Sequence, residues 1–167
     1  MKNYCPVEPS EFKKSPFSLI GDEWMLVCAE KKNGEFNFLT ASWGGFGVLW
    51  NRNVCFVFIR PSRYTHQFVE EADRITLSFF PRKYRSVLQI CGKKSGRDVD
   101  KVKECDLHPV KRNGGISFEE AEMTVYARKM YAAPIEAKYF IDKSAVDDPE
   151  NLHTMYICEI EKIEAED

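Results

Sequence analysis

Two arginines that could bind a phosphate group follow an apolar stretch near the middle of the chain. Residues 54–59 are β-branched and aromatic, which predicts a strand that is buried on both faces. Arg60 and Arg63 come next, on either side of Pro61, and hydroxyl groups follow at Ser62, Tyr64 and Thr65. A guanidinium group matches two phosphate oxygens, and the start of a helix over 65–71, capped by Thr65, would add backbone N–H donors. Arginines of a surface loop that pair with Asp or Glu give the same pattern.

Two further segments have the composition of a ligand site. Thr40, Ala41 and Ser42 precede Trp43 and two glycines, which is typical of a turn where backbone can approach a planar ligand beside an aromatic ring. Ser95, Gly96 and Arg97 open a flexible loop that leads to Lys101 at the start of a short helix. The simplest interpretation is that all three segments converge on one cofactor.

The elements that would position these residues are mostly strands. Hydrophobic periodicity predicts strands over 24–29, 36–39, 54–59, 75–80, 121–131, 134–141 and 152–163, after an extended segment over residues 1–16. Helices are expected over 65–71, from Pro81 to Cys91 with Gly92 as the stop, and over 98–105. This pattern predicts a mainly β fold, a closed antiparallel split β-barrel with a few short peripheral helices.

Composition narrows the class of protein. The chain has 167 residues, 44% of them hydrophobic, and we expect one domain over residues 1–167. The net charge of −2 argues against a nucleic-acid partner. No apolar stretch is long enough to cross a bilayer and no signal sequence begins the chain, so we expect a cytoplasmic protein without a membrane partner.

The sequence contains no motif of hydrolytic, metal or Rossmann chemistry. HExxH, GxSxG and GxGxxG are absent, and none of the six cysteines has CxxC spacing. We therefore expect no metal ligand and no catalytic side chain. His153 opens the last predicted strand, and a histidine in that position is most often structural.

Five motifs occur in a fixed order between residues 12 and 163. They are NFLTASWGGFGVLW, IRPSRYTHQF, LSFF, SGRDVDK and HTMYICEI. In this combination the chain resembles the flavin reductase-like family of FMN-binding split barrels, in particular its flavoredoxin-type members. The resemblance implies FMN as the cofactor and a homodimer with the flavin near the subunit interface. The chain departs from the family's sequence pattern at Phe38-Leu39 and at Cys158, and both departures bear on the shape of the pocket wall.

The resemblance also implies roles for individual residues. Arg60, Ser62 and Arg63 would face the phosphate, and Asn37, Thr40, Ala41, Ser42, Trp43, Tyr64 and Thr65 would follow the flavin ring and ribityl chain. Ser95, Gly96 and Arg97 would contribute from the loop, Lys101 would place a positive charge near the reduced ring, and His153 would lie near the flavin. For Trp43, a place in the core or at a dimer interface is an equal alternative.

The resemblance leaves the activity open between two classes. One is an oxidoreductase that moves hydride from NADH or NADPH to flavin and passes electrons to free flavin or a redox partner protein, with no protein nucleophile. The other is a flavoredoxin-type electron carrier with little activity toward NADH or NADPH. A barrel without flavin that binds another phosphorylated ligand or an oligonucleotide is a third, more distant alternative.

Overall fold

The computed structural model describes residues 3–166, which form ten β-strands and three α-helices. The strands are β1 (Tyr4–Pro6), β2 (Met25–Glu30), β3 (Phe36–Ala41), β4 (Gly44–Leu49), β5 (Arg52–Ile59), β6 (Arg74–Phe79), β7 (Pro109–Arg112), β8 (Gly115–Phe118), β9 (Met123–Pro134) and β10 (Thr154–Glu166). The helices are α1 (Tyr64–Glu71), α2 (Arg85–Lys93) and α3 (Lys101–Cys105). A π-helical segment spans Phe17–Glu23, and four 3-10 turns span Pro9–Glu11, Arg82–Tyr84, Ala137–Tyr139 and Lys143–Ala145.

Eight strands form one antiparallel sheet in the order β3-β2-β6-β9-β10-β5-β4, with β1 added to β10. The strands at the two ends of this order, β3 and β4, are consecutive in the chain and are joined only by Ser42 and Trp43. The path of the sheet therefore returns to its starting point. This arrangement confirms the predicted mainly β, antiparallel barrel with short peripheral helices.

The core lies on both faces of strand β2. Met25, Val27 and Ala29 point into a large cluster with apolar side chains of β5, β6, β9 and β10, which fills the barrel. Leu26 and Cys28 point the other way, into a second cluster built with α2, α3 and the β7–β8 hairpin. Because successive side chains of a strand point to opposite faces of the sheet, β2 contributes to both clusters. The peripheral helices cover the sheet face that would otherwise be exposed to water.

The prediction of a strand over 134–141 is wrong. Strand β9 itself continues to Pro134 and pairs with β6 on one side and β10 on the other, so no further partner is needed. Residues beyond Pro134 form a 3-10 turn at Ala137–Tyr139. The sequence also did not predict the π-helical segment Phe17–Glu23, strand β4 over the glycine-rich stretch, or the β7–β8 hairpin.

Four helical or N-terminal boundaries also differ from expectation. Helix α1 begins at Tyr64 with Arg63 as its N-cap and no side-chain cap, so Thr65 does not cap it. Gly92 lies inside α2, and α3 is restricted to Lys101–Cys105 with Asp100 as its cap. The expected extended segment over residues 1–16 contains β1 and a 3-10 turn, and its first two residues lie outside the described part.

No helix within residues 3–166 is long and apolar enough to span a membrane.

Candidate functional site

Two cavities adjoin each other where β3, α1 and the loop after α2 meet. The first, of about 170 Å³, is here named the loop cavity; it is lined by Asn37, Leu39, Ser62, Arg63, Tyr64, Thr65, Lys93, Lys94, Ser95, Gly96, Arg97 and Lys101. The second, of about 240 Å³, is named the turn cavity; it is lined by Leu39, Thr40, Ala41, Ser42, Trp43, Phe58, Ile59, Arg60, Arg63, Asp147 and His153. Leu39 and Arg63 border both cavities, so the two cavities are neighbours that share a wall.

Every residue that the sequence analysis assigned to the cofactor lies in one of these cavities. The loop cavity contains Asn37, Ser62, Arg63, Tyr64, Thr65, Ser95, Gly96, Arg97 and Lys101. The turn cavity contains Thr40, Ala41, Ser42, Trp43, Arg60 and His153, together with Arg63 from the shared wall. Residues from four distant segments, 37–43, 60–65, 95–101 and His153, are thus brought together, while the part that each one takes in ligand binding stays a prediction.

The loop cavity depends on a close approach between β3 and the loop after α2. The Asn37 Nδ2 donates a hydrogen bond of 2.9 Å to Oγ1 of Thr65, and both side chains are buried. Gly96 packs against this pair, because a Cβ at Gly96 would lie 2.4 Å from Asn37 Oδ1 and 3.3 Å from Cδ1 of Tyr64. Only glycine therefore fits at this position without displacing the Asn37 amide.

Four of the five cations that line the loop cavity have no carboxylate partner among residues 3–166, namely Arg63, Lys93, Arg97 and Lys101. Lys101 is only 4% exposed and donates from Nζ to the Phe38 carbonyl oxygen; burial lowers the pKa of Lys101 to about 8. Arg63 donates to the Gly92 carbonyl at 2.7 Å, and burial lowers the pKa of its guanidinium. The Arg97 guanidinium lies over the Tyr64 ring, 4.6 Å from its centroid. Uncompensated positive charge of this kind attracts an anion.

Arg60 is placed differently from Arg63. It lines only the turn cavity, where it is paired with Asp147 and lies 3.6 Å from a carboxylate oxygen of Asp148. It also donates to the Asn151 carbonyl at 2.8 Å, and Asn151 Nδ2 donates to Ser62 Oγ at 2.9 Å. Arg60 therefore fastens residues 135–153, here named the strap, over the turn cavity.

Trp43 and His153 form the aromatic wall of the turn cavity. Their ring centroids are 4.9 Å apart with the planes tilted by 46°. Trp43 is 54% exposed, which excludes a place in the core. Burial, with a smaller effect of Arg60, lowers the pKa of His153, so this imidazole is neutral near pH 7 and can donate or accept a hydrogen bond.

Helix α2 is attached to the wall that both cavities share. Thr40 Oγ1 donates to the Leu88 carbonyl at 2.6 Å, and Gly92 lies close to Thr40, since a Cβ at Gly92 would be 3.4 Å from the Cβ of Thr40. Together with the bond from Arg63 to Gly92, this fixes the last turn of α2. The loop that follows, which carries Ser95 and Gly96, is positioned as a result.

Several lining residues were missed by sequence reasoning. Lys93 and Lys94 belong to a basic stretch that resembles an ordinary solvated surface, and Lys94 is paired with Glu104. Leu39 and Phe58 follow the strand pattern and give no sign of a site. Asp147 reaches the turn cavity from the strap, 87 residues after Arg60 in the chain, so no local signal could have placed it there.

Solved structures with a similar fold come from several bacteria. An FMN-binding domain of a flavin reductases-like enzyme from Shewanella baltica has a TM-score of 0.71 at 13% identity, over 99% of this chain and 78% of that one. Flavoredoxin of Desulfovibrio vulgaris has a TM-score of 0.69 at 21% identity, over 93% and 78%. The styrene monooxygenase flavin reductase of Pseudomonas putida has 0.64 at 11% identity, over 86% and 79%.

At these identities the similarity establishes the fold, which agrees with the barrel described above. No curated protein matches the chain at a significant level. The family model described as "Flavin reductase like domain" matches residues 17–167, which include β2–β10 and every residue named in the two cavities. The chain therefore belongs to the family of the flavin reductase like domain.

Proposed function

We propose that the chain binds FMN across the loop and turn cavities and transfers hydride from NADH or NADPH to flavin. The observation that carries this proposal is that two unlike cavities share a wall at Arg63. One cavity holds cations that have no carboxylate partner within residues 3–166, and the other has an aromatic wall beside a turn of small residues. A ligand with a phosphate at one end and a planar ring at the other suits that combination. Membership of the family supports it.

The phosphate would be bound in the loop cavity. Arg63, Arg97 and Lys101 supply positive charge there, and none of them is paired with a carboxylate in the described part of the chain. Hydroxyl groups of Ser62 and Ser95 and the N–H groups at the start of α1 are further donors at the same wall. Since Arg60 is already paired with Asp147, we assign its role to the strap and not to the phosphate.

The flavin ring would lie in the turn cavity. Backbone and small side chains of Thr40, Ala41 and Ser42 form one wall, and Trp43 and His153 form another. When bound, FMN supplies the ring that accepts and donates hydride. The chain has to orient this ring, keep one face accessible to the nicotinamide and exclude water from the other. Because Lys101 borders the loop cavity and not the turn cavity, we place its charge at the phosphate and not at the ring.

The first experiment is the absorption spectrum of the freshly purified protein, followed by identification of any flavin released on denaturation. We expect flavin bands and close to one FMN per chain. Anaerobic addition of NADH or NADPH should then bleach the flavin absorbance. A colourless protein that also fails to bind added FMN would contradict the proposal and favour a barrel that binds another phosphorylated ligand.

A flavoredoxin-type electron carrier is the second candidate. The exposure of Trp43 favours it, since an accessible aromatic side chain at the cavity mouth would let a partner protein dock close to the flavin. Flavoredoxin of Desulfovibrio vulgaris has the same fold. For a carrier, the flavin absorbance should persist with both NADH and NADPH and disappear with dithionite.

We also propose that the protein is a homodimer. Val48 is 73% exposed, and Trp50 and Tyr131 are exposed with their ring centroids 6.3 Å apart. Together they present large apolar side chains on the outside of β4, of the turn that follows it and of β9, as expected of an interface. Sedimentation of the purified protein at two concentrations tests this proposal, and a mass of one chain at both would contradict it.

A further inference from the structure

Two cysteine side chains face each other between α2 and α3. Cys91 lies in the last turn of α2, and Cys105 is the last residue of α3. Their sulfur atoms are 3.7 Å apart, and both thiols are free. A disulfide bond is about 2.0 Å long, so the two sulfurs have to approach each other by about 1.7 Å. A change of rotamer or a small shift of one helix covers that distance.

The segment between the two cysteines carries part of the candidate site. Lys94, which follows α2, is paired with Glu104 of α3, so the end of one helix is already held against the other. A bond between Cys91 and Cys105 would close residues 91–105 into a covalent ring. That ring contains four residues of the loop cavity, namely Ser95, Gly96, Arg97 and Lys101.

The two thiols differ in their access to solvent and in their charge state. Cys91 is 0% exposed, whereas Cys105 is 7% exposed. Burial raises the pKa of Cys91 to about 12 and also raises the pKa of Cys105, while the positive charge of Lys101 acts in the opposite direction on both. A hydrogen bond from the Cys91 thiol favours the thiolate of Cys105. Cys105 is therefore the thiol that reacts first, and its narrow exposure admits only a small oxidant.

We propose that Cys91 and Cys105 form a peroxide-sensitive dithiol whose disulfide fastens residues 92–104. The Cys105 thiolate attacks one oxygen of hydrogen peroxide, the O–O bond breaks, and the sulfur becomes a sulfenic acid while the other oxygen leaves as water with the thiol proton. The Cys91 sulfur then attacks the Cys105 sulfur, the S–S bond forms, and the S–O bond breaks to release a second water with the Cys91 proton. In total the two thiols lose two electrons and two protons, and one peroxide is reduced to two water molecules.

The other buried cysteines provide internal comparisons. Cys55 and Cys158 are opposite each other on β5 and β10, but both are 0% exposed in the cluster that fills the barrel, so we expect them to stay reduced. Cys28 belongs to the same apolar cluster as Cys91 and Cys105. It therefore offers a matched substitution that leaves the proposed pair intact.

The test is treatment of the folded protein with a small molar excess of hydrogen peroxide, followed by alkylation of the remaining thiols in urea and digestion with trypsin without reduction. We expect peptides 86–93 and 104–111 to be linked, and to separate when a reductant is added. Cys91→Ala and Cys105→Ala should each abolish this linked peptide, and Cys28→Ala should leave it. If both thiols stay free, if either is linked to another cysteine, or if the link forms only in urea, the proposal is wrong.

The disulfide should also restrain the segment that it closes. We expect the oxidised protein to melt at least about 4 °C above the reduced protein, because a closed ring restricts the unfolded chain. Amide hydrogen exchange in residues 95–100 should slow at least threefold. Cys105→Ala treated in the same way should show neither change, and thermal melting of this variant before treatment verifies that it is folded. A linked peptide without slower exchange would contradict the fastening of the segment.

The consequence for a bound ligand rests on the proposed function, which places the flavin phosphate in the loop cavity. We expect FMN to leave the oxidised protein at least threefold more slowly than the reduced protein, and the faster rate to return with a reductant. An unchanged rate of release would contradict this effect. The linked peptide and the hydrogen exchange are measured without flavin, so a protein that binds no FMN contradicts the proposed function and not the disulfide.

Discussion

A Cβ atom at Gly96 would lie 2.4 Å from Oδ1 of Asn37, closer than two such atoms can approach. The Gly96→Ala substitution should therefore push the Asn37 amide away from Thr65 and break the buried hydrogen bond between them. A lost buried hydrogen bond and a distorted side chain together cost about 1–3 kcal/mol. We expect flavin affinity to fall by roughly ten- to a hundredfold, measured by fluorescence titration with FMN.

The matched control for this change is Gly21→Ala in the π-helical segment. A Cβ at Gly21 would meet no atom within 4 Å, so this variant should bind flavin normally. If Gly96→Ala also binds flavin normally while its thermal stability is unchanged, the packing between Asn37 and the loop does not matter for the site.

Arg63 should contribute most of the preference for a phosphorylated flavin. It borders both cavities and has no carboxylate partner within residues 3–166. Arg63→Ala removes a charge-assisted contact worth about 1.5–3 kcal/mol, so FMN should bind more weakly while riboflavin is affected much less. Arg82→Ala, at an exposed turn before α2, is the control. If the affinities for FMN and for riboflavin fall by the same factor, Arg63 does not bind the phosphate.

Arg60 should behave differently, because its guanidinium is paired with Asp147 and bonded to the Asn151 carbonyl. In Arg60→Met we expect faster amide hydrogen exchange in residues 142–151, since the fastening of the strap is lost. The preference for FMN over riboflavin should stay close to that of the unmodified protein. If Arg60→Met loses this preference as Arg63→Ala does, Arg60 binds the phosphate, and its assignment to the strap is wrong.

Lys101 should make stability depend on pH in the alkaline range. Burial lowers its pKa from 10.5 to about 8, so between these values the unfolded chain binds more protons than the folded one. The free energy of unfolding therefore rises as the pH increases from about 8 to 10.5, by on the order of 3 kcal/mol. Burial raises the pKa of thiols such as that of Cys28, and these thiols lower the free energy of unfolding as the pH rises above 9. The Lys101 contribution is therefore measured as the difference between the unmodified protein and Lys101→Met in urea unfolding at several pH values.

Lys103→Met is the matched control for that experiment, because Lys103 lies on the same helix with its side chain 85% exposed to water. A difference between unmodified protein and Lys101→Met that stays constant from pH 7 to pH 10.5 would mean that Lys101 is charged or solvated in the folded state throughout this range.

The strands that line the site could be predicted because each one is a short apolar run. Residues 54–59 and 75–80 fall almost entirely within β5 and β6, and the Asn33-Gly34 turn correctly separated β2 from β3. Strand β4 could not be found in the same way, since three of its six residues are glycines. Gly44 is required there because a Cβ would come within 2.7 Å of the Phe56 carbonyl on the paired strand β5. The glycines that suggested a turn thus serve the close pairing of two strands.

The sequence predicted which residues line the site, but not which side chains those residues contact. The resemblance to a family selected fifteen residues that line the two cavities. It did not indicate that Asp147 would neutralise Arg60, or that Lys101 would be buried beside Phe38. Those contacts join residues 87 and 63 positions apart, and they depend on how the strap and α3 pack, which no local pattern records.

The exposed indole of Trp43, in tilted contact with the His153 ring, gives the protein an intrinsic fluorescent reporter. A flavin in the turn cavity would accept excitation energy from this indole, so cofactor loading could be followed by emission without any label. The other two tryptophans, Trp24 beneath Arg85 and Trp50 near Tyr131, lie outside both cavity walls and can be replaced by phenylalanine to isolate the signal. The same emission would report the opening of the strap, which carries His153 at its end.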